Sequence, residues 1–187
     1  MAIEREKKYF VDETLAKNLI KSSLAKLGVI QWYLEKCPIK TDRECRVRYT
    51  VDEHGNEKWI VAFKSDLRED FTRIEEEHEI SPANELFGEL SKSPVVVKIR
   101  YFLLFKPAEV VLDEFLEIDK PYRVNIKYMA EIETEDEFEK YESVFNLRKD
   151  MSIEEFKTFT NKNIAVISQI KPEKLIEKVK QIVNSEQ

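Results

Sequence analysis

Glycine and cysteine are both scarce in this chain. Only three glycines occur among the 187 residues, and none lies in a glycine-rich loop of the kind that cradles phosphate at a helix N-terminus. Any phosphate site is therefore expected to use side chains. No histidine and cysteine cluster accompanies Cys37 and Cys45, so neither a zinc site nor a disulfide framework is predicted, and both thiols are expected to be reduced.

Long apolar runs and an excess of basic charge are also missing. No stretch approaches the roughly 18 apolar residues of a membrane span, and the first ten residues carry charge where a signal peptide is apolar. We therefore expect a cytoplasmic protein that does not associate with membranes. Lysine and arginine number 31 against 37 aspartates and glutamates, for a net charge of −6, so nucleic acid is not an expected partner.

Alternation of polar and apolar residues dominates the chain as far as about residue 134, and this period of two predicts β-strands. Short turns such as residues 52–56 and Lys106-Pro107 separate strand patterns closely enough for antiparallel hairpins. The expected fold class is α+β, mainly antiparallel β. The predicted strands cover residues 3–11, 30–35, 44–51, 58–64, 71–80, 95–105, 108–117 and 122–133.

Helical spacing occurs between some of these strands and throughout the carboxy-terminal part of the chain. We expect a single domain over residues 1–187, with the helical segment from about 135 to 187 packed on the β-structure. A homodimer is the default expectation for its assembly. The predicted helices cover residues 12–27, 82–90 after a cap at Ser81, 136–145, 152–159 and 172–183.

Charged residues recur at alternate positions along many predicted strands, and apolar residues occupy the opposite positions. One interpretation is an open sheet with a solvated charged face. However, like charges two residues apart lie about 7 Å from each other and repel unless counter-charges intervene. Paired carboxylates suit hard cations such as Mg²⁺ or Mn²⁺, and arginine and lysine neutralise phosphate oxygens. We therefore favour a site for divalent metal and a polyanion.

The run Glu4-Arg5-Glu6-Lys7-Lys8 has the form E-x-E-x-K, and further charged motifs follow it in the order typical of one family. Over residues 3–133 the chain resembles the CYTH, or triphosphate tunnel metalloenzyme, superfamily. This resemblance implies an eight-stranded closed tunnel barrel with covering helices, charged faces inward and apolar faces outward. The later matching motifs are Arg46-Val47-Arg48, Lys64, Arg73-Ile74-Glu75-Glu76-Glu77, Lys98-Ile99-Arg100, Leu112-Asp113 and Glu131-Ile132-Glu133.

The resemblance also implies roles for these residues. Lys8 is expected to stabilise oxyanions or assist proton transfer, while Glu75 or Glu77 orients a second metal or the attacking water. The alternatives are that these glutamates merely hold an arginine and that Asp113 acts without touching the metal. The expected metal ligands are Glu4, Glu6, Glu131 and Glu133, from strands that meet when the barrel closes. The expected substrate-binding residues are Lys8, Arg46, Arg48, Lys64, Arg73, Lys98, Arg100 and Asp113.

The reaction stays open among several activities of the resembled family. We favour hydrolysis of inorganic triphosphate to diphosphate and phosphate with Mg²⁺ or Mn²⁺, because a triphosphate grip is visible whereas no adenine or thiazolium pocket is identified. The alternatives are a class IV adenylyl cyclase that makes cyclic AMP from ATP, a nucleoside, RNA or thiamine triphosphatase, and a catalytically silent polyphosphate-binding module. In each case the partner is a small molecule that contains a triphosphate.

Overall fold

The computed structural model describes residues 2–39 and 44–185. Its main strands are β1 (Ala2–Phe10), β2 (Ala25–Leu34), β3 (Cys45–Asp52), β4 (Glu57–Lys64), β5 (Thr72–Glu79), β6 (Pro94–Leu104), β7 (Glu109–Phe115) and β8 (Tyr128–Glu133). They follow one another in the order β6-β2-β3-β4-β5-β1-β8-β7, and β7 pairs with β6 again. Each of these pairings is antiparallel. The closed antiparallel barrel is therefore confirmed.

Helices lie before, between and after the barrel strands. Two short strands, β9 (Lys149–Asp150) and β10 (Val166–Ile167), extend the sheet beside β1 and β6. In the part of the chain that the structure describes, no helix has both the length and the apolar character needed to cross a membrane. The helices are α1 (Glu13–Lys21), α2 (Asn84–Leu90), α3 (Phe138–Phe145), α4 (Ile153–Thr158), α5 (Asn161–Ile164) and α6 (Pro172–Asn184).

The apolar faces of the strands point out of the barrel and are covered by helices. Helix α6 packs on β2, β3 and β6, and its apolar stripe of Leu175, Val179 and Val183 is buried. The helix approaches β2 so closely that a Cβ atom at Gly28 would lie 3.0 Å from Val183 and 3.1 Å from Val179. Because successive side chains of a strand point to opposite faces, the charged residues of the same strands line the interior.

The first helix is shorter than predicted, and the strand after it is longer. The hydroxyls of Ser22 and Ser23 donate to carbonyls of the last helical turn. The amide of Leu24 donates instead to the carbonyl of Phe102, which joins the chain to β6. Leu24 is 62% exposed, although helical spacing would bury it. Long-range strand pairing therefore overrides the local helical pattern.

The start of the last barrel strand and the start of α2 also differ from the predictions. The last barrel strand begins at Tyr128 rather than at residue 122, because the hydroxyl of Tyr122 accepts from the amide of Val97 and donates to the carbonyl of Leu116. These bonds hold the preceding segment as a loop. Helix α2 is preceded by Ala83, with no side-chain cap, so the predicted cap at Ser81 is wrong.

One end of the barrel interior is filled with apolar side chains, and we call this cluster the inner plug. Some members come from strands, each two residues from an inward charged residue, and others come from the segment that contains α4 and α5. All are at most 8% exposed. The charged part of the interior therefore faces away from a closed end. The inner plug consists of Leu67, Val96, Phe115, Met129, Met151, Phe156, Ile164 and Ala165.

Candidate functional site

Strand alternation places the predicted site residues inside the barrel, at different depths. Arg48, Lys64, Arg73, Glu75, Arg100, Glu131 and Glu133 are partly buried, and Glu77 is exposed at the end of β5. The charged side chains of the interior are thus buried at its centre and more exposed away from it. The fully buried charged members are Glu4, Glu6, Lys8, Arg46, Lys98 and Asp113.

Three of the four predicted metal ligands come together. Carboxylate oxygens of Glu4, Glu6 and Glu133 lie within 4.8 Å of one another, and Glu6 and Glu133 are directly paired across β1 and β8. Glu131 lies outside this group, with its carboxylate 3.2 Å from Arg100 and 3.9 Å from Lys8. An all-carboxylate donor set suits a hard divalent cation such as Mg²⁺ or Mn²⁺, so the residues present fit the expected metal.

Burial and repulsion between these carboxylates change the pKa of Glu133. Burial, followed by the charges of Glu4 and Glu6, raises the pKa of Glu133 to about 8. Arg73 donates to Glu4 over 3.2 Å and to Glu6 over 2.5 Å. Burial alone would lower the pKa of Arg73, but Glu6 and Glu4 raise it above its ordinary value. The guanidinium of Arg73 therefore supplies positive charge beside Glu4 and Glu6.

On the adjacent strand β7, Asp113 holds two of the predicted phosphate-binding cations. It accepts from Lys98 over 2.8 Å and from Arg100 over 2.8 Å and 2.9 Å. Burial would raise the pKa of Asp113, but Arg100 and Lys98 hold it well below its usual value. Burial also lowers the pKa of Lys98 to about 7. Asp113 thus orients both cations, which agrees with the alternative that it acts without touching a metal.

Arg46 and Lys64, on the neighbouring strands β3 and β4, form another part of the interior, in which Arg46 has unsatisfied donors. The Nη2 atom of Arg46 lies 3.7 Å from Glu75 and 3.5 Å from Glu77, too far for hydrogen bonds of normal length. Within residues 2–39 and 44–185, the buried Nε and Nη2 atoms of Arg46 have no hydrogen-bond partner. Lys64 lies 3.2 Å from Glu4 and 3.7 Å from Glu75. Buried unpaired donors of this kind are expected where an anion binds.

Lys8 lies at the boundary between the charged interior and the inner plug. Its ammonium is 4.5 Å from the centre of the Phe156 ring and 3.4 Å from the carbonyl oxygen of Phe159. It also lies 3.9 Å from Glu131. Burial lowers the pKa of Lys8 below its ordinary value. Lys8 therefore has an aromatic ring on one side and the carboxylate of Glu131 on the other.

Three interior residues were not predicted from the sequence. Glu109 is directly paired with Glu133, and its position four residues before Asp113 is a signal that could have found it. Gln31 is a polar residue within the apolar run of β2 and bonds to Arg48. The side chain of Asn161, in α5, accepts from Lys98 over 3.0 Å. No strand pattern includes Asn161, so the sequence offers no comparable signal for it.

Comparison with known proteins gives one sequence relative and several structural neighbours. No protein-family model matches the chain. An inorganic triphosphatase from Acetivibrio thermocellus is 32% identical over 139 residues, which span 73% of this chain and 78% of that protein. The PH1819 protein from Pyrococcus horikoshii OT3 is 22% identical with a TM-score of 0.55, over 82% of this chain and 97% of that one.

A second solved structure also shares the barrel. It is HpAC1 from Hippeastrum, a putative adenylyl cyclase that reveals a dominant triphosphatase activity. It is 17% identical with a TM-score of 0.50, and the match covers 95% of this chain and 96% of that one. At these identities the two structures show the fold alone, whereas the Acetivibrio protein extends the likeness to the sequence.

Proposed function

This chain belongs to the CYTH, or triphosphate tunnel metalloenzyme, superfamily, and on that premise we propose that it is a divalent-metal-dependent triphosphatase. Its proposed reaction is the hydrolysis of inorganic triphosphate to diphosphate and phosphate. The sequence similarity to an inorganic triphosphatase supports this choice of substrate. The triphosphatase activity of HpAC1, which has the same fold, is consistent with it.

The observation that carries the proposal is the meeting of two kinds of group inside one barrel. Carboxylate oxygens of Glu4, Glu6 and Glu133 lie within 4.8 Å of one another. In the same interior, buried donors of Arg46 lack hydrogen-bond partners among residues 2–39 and 44–185. A metal-bound polyphosphate satisfies both, because the cation is held by carboxylates and the phosphate oxygens by guanidinium groups.

The cations of the barrel would hold the substrate from several sides. Arg46 and Arg48 offer planar forks to phosphate oxygens, and Lys64 and Lys98 offer point charges. Asp113 keeps the Lys98 ammonium oriented through a bond of 2.8 Å. Mg²⁺ or Mn²⁺, held by Glu4, Glu6 and Glu133 with Glu131 beside them, would supply further charge neutralisation and polarise phosphate oxygens.

In the proposed hydrolysis, water attacks the terminal phosphorus, the bridging P–O bond breaks, and its electron pair leaves with diphosphate. Glu75 would accept the proton of this water once the substrate has drawn Arg46 and Lys64 away from it. The Glu77 side chain, which is 45% exposed, would hold Arg46 in place. Lys8 would neutralise the charge that develops on the phosphate oxygens.

The test is phosphate release from inorganic triphosphate beside ATP, each with Mg²⁺ or Mn²⁺, with the products separated. We expect rapid loss of triphosphate, slow turnover of ATP and no reaction in EDTA. Formation of cyclic AMP and diphosphate from ATP, with triphosphate left intact, would reassign the protein as a cyclase.

The matched variants are Glu4→Gln with Glu6→Gln, which keep the shape of both side chains and remove their charge. We expect the double variant to lose at least about a hundredfold in activity, because the metal loses two of its anionic ligands. Glu173→Gln with Glu177→Gln, on α6, is the control for the change in net charge. Full activity of the tunnel double variant would rule out the metal assignment.

The remaining expectations concern surroundings and assembly. We propose a cytoplasmic enzyme that acts on a small triphosphate without nucleic acid or membrane as a partner. Cys37 and Cys45 are both buried, and we expect reduced thiols in a reducing compartment. A homodimer stays the default, and sedimentation velocity measures it directly.

A further inference from the structure

Arg48 differs from the other cations of the barrel interior in having no carboxylate partner. Within the residues that the structure describes, no carboxylate oxygen lies within 4.0 Å of its guanidinium, whereas each of the other interior cations has one at that distance or closer. Within the described residues, the positive charge of Arg48 is therefore not compensated by an ion pair. The partnered interior cations are Lys8, Arg46, Lys64, Arg73, Lys98 and Arg100.

The group that holds Arg48 is a neutral amide. Gln31 is paired directly with Arg48 across β2 and β3 and is only 1% exposed. Its Oε1 atom accepts from Nε of Arg48 over 2.9 Å and from Nη2 over 2.7 Å. Its amide nitrogen donates to the hydroxyl of Tyr33 over 2.8 Å, and the amide oxygen faces the arginine because a guanidinium only donates hydrogen bonds.

An amide in this position fixes the guanidinium without neutralising it. A carboxylate could accept the same two hydrogen bonds, but it would also form an ion pair and compensate the positive charge. Burial and the charges on Arg46 and Arg100 lower the pKa of Arg48 to about 9. A cation in such surroundings is costly to keep without a counter-ion, and an arriving anion relieves that cost.

We propose that Gln31 is a positioning residue that keeps Arg48 oriented and uncompensated, so that Arg48 is a principal contact for a phosphate group of the substrate. Gln31 itself need not touch the substrate, since its side chain bonds are directed to Arg48 and Tyr33. The inference rests on the proposed function for the identity of the anion. The role proposed for Gln31 explains why Arg48 is held by a neutral amide, whereas the neighbouring cations are held by carboxylates.

The decisive variant is Gln31→Glu, which keeps the shape and both acceptor positions but supplies the missing counter-charge. Binding is measured by calorimetry with tripolyphosphate in EDTA, so that neither metal nor hydrolysis enters. We expect affinity to fall by about tenfold or more, with a melting temperature no lower than that of the wild type. Gln181→Glu, on the exposed side of α6, makes the same change in net charge and is expected to bind normally.

A double-mutant cycle tests whether Gln31 acts through Arg48. We expect Gln31→Leu to weaken binding about tenfold and Arg48→Met about a hundredfold, while Gln31→Leu adds little once Arg48→Met is present. Normal affinity of Gln31→Glu, or an equal effect of Gln31→Leu in both backgrounds, would overturn the inference. Tripolyphosphate binding without phosphate release would instead refute the hydrolysis and leave the role of Gln31 intact.

Discussion

Glu133 lies between two other carboxylates in the barrel wall. It is paired with Glu6 on one side and with Glu109 on the other, and like charges directly opposite each other on neighbouring strands repel. Burial and this repulsion raise its pKa to about 8, so most copies of Glu133 carry a proton at pH 7 in the absence of metal. A metal ion that binds its carboxylate must displace that proton.

We therefore predict that Mn²⁺ binding at pH 7 releases about one proton, and that the apparent dissociation constant rises about tenfold for each unit of pH below 8. The sign follows from the direction of the shift, because a carboxyl group with a raised pKa is protonated over a wider range of pH. Calorimetry in two buffers with different ionisation enthalpies measures the proton count. Glu133→Gln should bind Mn²⁺ more weakly and release no proton. An unchanged proton count in that variant would contradict the assignment.

At the scale of elements, the turn between α4 and α5 connects the inner plug to the charged interior. Phe156 of α4 is fully buried, and its ring lies 4.5 Å from the Lys8 ammonium and 5.5 Å from the Arg73 guanidinium. Asn161 begins α5 and bonds to Lys98. The same short segment therefore packs the closed end and contacts Lys8 and Lys98, two of the cations proposed to bind phosphate.

Phe156→Ala is predicted to lower the free energy of unfolding by about 3–5 kcal/mol, because it removes a fully buried aromatic ring and leaves a cavity. Urea denaturation measures this loss. Phe105→Ala, at a side chain that is 51% exposed, is the control and should cost less than about 1 kcal/mol. Equal losses in the two variants would contradict the account of the inner plug.

The elements also show which features a local pattern can predict. Alternation along a single strand was enough to place Arg46 with Arg48 and Lys98 with Arg100 on inward faces, because the side-chain period of a strand is a local property. The bond between Gln31 and Arg48 depends on the register of two strands, which the pattern alone does not give. The contact of Asn161 with Lys98 joins residues 63 positions apart. Only the folded chain brings them together.

At the scale of the whole molecule, the charged interior is incomplete without a bound anion. Arg48 lacks a counter-charge, and buried donors of Arg46 lack hydrogen bonds within the described ranges. A ligand that binds only the folded state stabilises it in proportion to the logarithm of its concentration. The barrel should therefore gain stability from polyphosphate even where no reaction takes place.

We predict that tripolyphosphate in EDTA, at about a hundred times its dissociation constant, stabilises the fold by about 2.7 kcal/mol and raises the melting temperature by about 5–10 °C. Differential scanning fluorimetry measures the shift. Sulfate at the same ionic strength is the control for general salt effects and should give a smaller shift. The Arg48→Met variant should lose most of the response to tripolyphosphate, and a full response in that variant would contradict the proposed contact.

The inner plug also has a consequence for how a substrate would enter the barrel and how its products would leave. Side chains such as Met129 and Ile164, both fully buried, pack one end of the interior. A triphosphate bound as proposed would therefore enter, and its products would leave, through the other end. The product nearer that end would leave first, and retained diphosphate would compete with the next triphosphate for binding.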